Sequence, residues 1–98
     1  MYKTLLEVVY NELRDSFGYC CSIKPTSVNE VLYVDVGFGY MLGITYEEHE
    51  RFHKFYIQSN KGIEKHNKPV CFVCPIDEKG HSDIVPLYHF IDDFAKLI

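Results

Sequence analysis

At both ends of the chain the apolar residues recur three and four positions apart, and between those ends they do not. Leu5, Leu6, Val9, Leu13 and Phe17 open the series, with Glu7, Asn11, Arg14 and Asp15 on the opposite side. Leu87, Phe90, Ile91, Phe94 and Leu97 close it. Each set predicts an amphipathic helix whose apolar stripe has to be buried against something else. In 98 residues the only available partner is the rest of a single domain, spanning residues 1–98, so the middle of the chain must supply a complementary surface.

The first helix is expected over Tyr2–Phe17, with Gly18 as its left-handed stop; Pro86 suits the first turn of the last one. "YCCSI" and "EVLYVDV", separated by the polar, Pro-containing "KPTSVN", predict an antiparallel strand pair. "PVCFVCPI" and "HSDIV" flank the turn sequence "DEKG" and predict a second hairpin. The apolar run Val70–Ile76 lacks alternation, which points to a central strand covered on both faces.

Between the hairpins, Thr45 with Glu48 three positions on has the form of a capping box. Glu47 with Arg51 and Glu50 with Lys54 are acid-to-base pairs four apart, so a helix is expected from Tyr46 to about Asn60. The order becomes α-β-β-α-β-β-α. The fold expected is α+β, a single two-layer domain with a four-stranded, mainly antiparallel sheet and helices packed on it.

Within that expected helix, His49-Glu50-Arg51-Phe52-His53 resembles the H-E-x-x-H signature of zinc hydrolases, in which two histidines hold the metal and the glutamate acts as general base. Wound as a helix, both histidines fall on one arc with Tyr46, Phe52, Phe55, Tyr56 and Ile57. That arc accounts equally for two histidines seated among aromatic rings. Arg51 and Lys54 stand where a zinc helix usually carries uncharged residues, and no extended signature follows; Glu64 and His66 are the available third ligands. The zinc-dependent hydrolase is therefore the alternative reading.

Other motifs carry less. Cys71 and Cys74 have C-x-x-C spacing, but no helix follows to lower a thiol pKa, and residues three apart on a strand point to opposite faces. Joining them with Cys20 or Cys21 around a metal would need the hairpins side by side. A nucleophilic cysteine beside His66, His81 or His89 has no local signature. "GFGYMLG" lacks the glycine spacing and the lysine of a phosphate loop and suits a bent strand end instead. Its Phe38 and Tyr40 are loop aromatics of the kind that anchor protein interfaces. The sequence thus assigns no catalytic residue, no metal ligand and no cofactor.

The formal charge of −4 and the scattered distribution of the ten Lys and Arg disfavour nucleic acid as a partner. No run reaches the ~20 apolar residues of a membrane span, and acids interrupt the first apolar stretch where a signal peptide would be clean, so a cytoplasmic location is expected. What is left is a small acidic binding protein, of the immunity-protein or phage-inhibitor type, that neutralises a protein with a basic surface through charge complementarity. Phe38, Tyr40, Glu47 and Glu48 are its candidate contact residues.

Overall fold

The computed structural model describes residues 5–25, 30–61, 69–79 and 83–97. Helix α1 (Leu5–Asp15) leads into strands β1 (Cys20–Pro25), β2 (Glu30–Gly37), β3 (Tyr40–Glu48), β4 (Phe52–Ser59) and β5 (Val70–Pro75), and helix α2 (Val85–Leu97) follows. The strands form one antiparallel sheet in the order β1-β2-β3-β4-β5. The α+β class stands, but the four-stranded α-β-β-α-β-β-α arrangement does not: there are two helices among the described residues, and the sheet has five strands.

The expected middle helix is instead the end of β3, a turn at His49–Arg51 and all of β4. Thr45, the supposed cap, pairs with Tyr56 in the sheet; Glu47 faces Lys54 across the hairpin instead of Arg51 along a helix. The turn closes where the His49 amide donates to the Phe52 carbonyl at 3.0 Å. The segment is rich in aromatic and β-branched residues, which fit a pleated surface better than a helix. Its period of two was hidden because aromatics occupy both faces of β4: Phe55 and Ile57 are buried, whereas Phe52 and Tyr56 alternate with them.

The second hairpin also resolves differently. β5 pairs with β4 alone among the described residues, so it is an edge strand, and Val73 is 54% exposed. Its apolar run lacks alternation because one side meets the core and the other is bare yet still apolar. Pro69 precedes it and Pro75 ends it, and both limit further strand addition. Of "HSDIV", His81 and Ser82 lie outside the described residues, and Val85 already belongs to α2.

The terminal helices follow the sequence. Gly18 adopts φ 78° and reverses the chain, after which the Tyr19 amide donates to the Leu13 carbonyl at 3.0 Å. The Val85 amide donates to the Asp83 carboxylate at 3.1 Å, and Pro86 occupies the first turn of α2. Residues 1–4 of the expected first helix lie outside the described residues.

One face of the sheet holds Leu32, Val34, Leu42, Ile44, Phe55, Ile57 and Cys74, buried beneath Leu6, Val9 and Leu13 of α1 and Leu87, Ile91 and Phe94 of α2. Both helices lie on this face. The other face has no covering layer among the described residues. No helix among them is long and apolar enough to cross a membrane.

Candidate protein-contact surface

The hairpin separates the two histidines of the H-E-x-x-H match. His53 belongs to the helix-covered side: its Nδ1 shares a 2.6 Å hydrogen bond with the Tyr46 hydroxyl, and the two rings stack at 5.5 Å. His49 lies with residues of the other side, its Nε2 3.0 Å from the Glu47 carboxylate and its ring stacked 4.4 Å from Phe52. Imidazoles committed to opposite faces of a two-stranded ribbon do not converge on one ion. Glu64 and His66 lie outside the described residues, and among those described no group of three or more His, Cys, Asp or Glu is placed to hold a metal.

The cysteines are likewise dispersed. Cys20 and Cys71 stand on the uncovered face, at opposite edges of the sheet, and Cys21 and Cys74 point into the core side. Four strand spacings separate β1 from β5, roughly 19 Å, so a shared metal is out of reach. Burial pushes the Cys21 thiol up to about 11, with neighbouring Cys20 adding to the effect, and burial also raises Cys74. A thiol reagent at pH 8 is expected to label Cys20 and Cys71 rapidly and Cys21 and Cys74 slowly. Mass spectrometry of the labelled protein checks this; equal labelling of all four would contradict the placement.

Among the described residues, the β2–β3 turn has the most unusual backbone. Gly37, Phe38 and Gly39 all have positive φ, at 97°, 55° and 79°. Glycine accepts this freely; phenylalanine does so at a cost, because its Cβ crowds the backbone. Phe38 is nevertheless 83% exposed, so no core contact of its own offsets the strain. The turn is held from both sides. The Gly37 amide donates to Asp35 Oδ1 at 2.9 Å. Asn60 donates from Nδ2 to the Gly39 carbonyl at 3.0 Å and accepts the Met41 amide on Oδ1 at 2.9 Å. Behind Phe38, Tyr40 meets Phe94 edge-on at 5.9 Å, with Lys61 Nζ 4.6 Å from the Tyr40 ring centre.

Glu47 and Glu48 do not join this group. They end β3 at its far side, and seven residues of strand put roughly 23 Å between Tyr40 and Glu47. Of the four candidate contact residues, Phe38 is exposed at the turn, Tyr40 packs on the helix-covered side against Phe94, and the two glutamates stand at the opposite end of the sheet.

The uncovered face begins at this turn. Across its middle, Ser22, Tyr33, Gly43 and Gln58 are register neighbours, and Thr45, Tyr56 and Cys71 form the next row. Because Gly43 has no side chain, a depression of about 600 Å³ opens there, lined among others by Val31, Tyr33, Met41, Tyr56 and Asn60. Asn60 thus connects the depression to the Phe38 turn. Lys24 lies 6.0 Å from the Tyr33 ring centre and Lys54 5.2 Å from that of Tyr56. Among the described strand residues, the charges on the face are Lys24 and Lys54 against Asp35 and Glu47, so they balance, unlike those of the chain as a whole.

A Cβ built on Gly43 would sit 3.7 Å from Val31 and 3.8 Å from Tyr33, ordinary contact distances. Gly43→Ala is therefore expected to raise stability by about 0.5–1 kcal/mol, by removing the freedom of glycine in the unfolded chain. Chemical denaturation measures it, and a clear loss of stability would mean that β3 has no room at this position. No protein-family model, curated protein or solved structure matches the chain.

Proposed function

We propose that this chain is a small binding protein that engages and neutralises a protein partner, with Phe38 as its anchor and the uncovered sheet face as the surrounding contact. The observation that carries this reading is the turn itself. A large aromatic side chain is exposed at a backbone conformation it disfavours, on a loop fixed by Asp35 and Asn60. Strain of this kind clusters at functional sites, and a loop whose backbone is already held loses less entropy when it binds. The face beside it carries Tyr33, Met41 and Tyr56 among balanced charges, and aromatic and methionine side chains are enriched at protein interfaces.

The test places a photoreactive benzoylphenylalanine at position 38 and, as a control, at exposed Glu50 in the β3–β4 turn, in cells of the source. An adduct from position 38, suppressed by excess unmodified chain and absent from position 50, is expected. No adduct at 38, or one of equal strength at 50, would sink the proposal.

A further inference from the structure

Unlike the balanced sheet face, the two helices carry a net negative charge. α1 and α2 carry Glu7, Glu12, Asp15, Asp92 and Asp93 against Arg14 and Lys96. Where the end of α1 meets the start of α2, a notch of about 340 Å³ opens, lined by Glu12, Phe17, Val85, Tyr88, His89 and Asp92. Its volume is at the small end for ligand sites and suits a single extended side chain.

The notch has two kinds of lining that recognise the same chemistry. One is aromatic: Phe17, 41% exposed, stacks between Tyr88 at 5.4 Å and Tyr19 at 6.3 Å. The other is anionic: Glu12 and Asp92 approach from the two helices. Asp92 is oriented by the Tyr19 hydroxyl, which donates to it at 3.3 Å, and by Lys96 at 3.1 Å. Glu12 has no ion-pair partner among the described residues. Burial, reinforced by the nearby charge of Glu12, pushes the Tyr88 phenol up to about 12, so its hydroxyl stays protonated and able to donate or accept.

Aromatic rings attract a cation, and carboxylates accept its N–H groups. A guanidinium satisfies both more fully than an ammonium, because it is planar, stacks on rings and offers several fixed donors. We infer that this notch receives an arginine side chain presented by a partner protein. This rests on the binding reading above and goes beyond it: the notch lies on the helical layer, not on the uncovered sheet face, and is a second contact whose occupant is an arginine-bearing basic segment.

The probe is a tetra-arginine peptide titrated into the intact, isotope-labelled chain, with tetralysine in parallel, followed by amide chemical shifts. Saturable shifts are expected at Glu12, Phe17, Tyr88 and Asp92, with tetra-arginine binding the tighter. Phe17→Ala and Glu12→Gln should each weaken it by about five- to tenfold, while Glu50→Gln, the same charge change in the β3–β4 turn, should weaken it less than about twofold. Glu12 is exposed, so its variant keeps the fold and stays decisive even where Phe17→Ala proves unstable. The inference fails if no saturable shift appears in the notch, if tetralysine binds equally well, or if Glu50→Gln costs as much as Glu12→Gln. Any of these would remove the arginine site while leaving the position-38 adduct, and the reading that rests on it, intact.

Discussion

Phe55→Ala is expected to lower stability by about 3–5 kcal/mol, a large share of a domain margin on the order of 5–15 kcal/mol. Phe55 is fully buried at the middle of β4, paired with Tyr46 on one side and Phe72 on the other. The Tyr46 ring centre is 5.3 Å away, so truncation leaves a cavity that neighbours held in place by the ladder cannot readily fill. The informative comparison is Phe52→Ala. On a helix, Phe52 and Phe55 share a face and would cost similar amounts; on β4 they point to opposite sides, and the half-exposed Phe52 should cost about 1 kcal/mol or less. Urea denaturation of the two variants decides it, and equal losses would contradict the strand.

The second large effect runs in opposite directions for stability and binding. Phe38→Gly removes a side chain from a left-handed backbone position and should stabilise the free protein by about 1 kcal/mol. The same change should weaken binding of the partner captured at position 38 by about 2 kcal/mol or more, roughly 30-fold, because an aromatic anchor is lost. Calorimetry on the free chain gives the first quantity and titration of the complex the second. A drop in stability would show that Phe38 serves the fold, and unchanged affinity would show that it serves no partner.

The two terminal helices were legible because each has one wet side and one dry side, the condition under which a period of 3.6 survives in sequence. Gly18 and Pro86 were legible for the same local reason: each has a backbone preference that no packing overrides. The hairpin at His49–Arg51 was not, because Tyr46, Phe52, Phe55 and Tyr56 are spaced so that a helical arc and a two-faced strand fit equally well. A pair of charges four apart, such as Glu50 and Lys54, looks the same whether a helix or a turn separates them. The Phe38 turn was visible as an aromatic between glycines. The uncovered face beside it was not, since it depends on knowing that Val31, Tyr33, Gly43 and Tyr56 from three strands share one side.

Strand order in the sheet equals strand order along the chain, and this shapes how the molecule is made. Every pairing joins strands that are neighbours along the chain, the longest connection being the ten residues between Ser59 and Val70, so little loop-closure entropy opposes any step and the sheet can grow by addition as each strand becomes available. The greasy side of that sheet, however, waits for α2, whose 13 residues come after all five strands. Until they arrive, Leu42, Ile44 and Phe55 have only half their roof. That interval during synthesis, more than the finished protein, is where clumping with other nascent chains is the chief hazard.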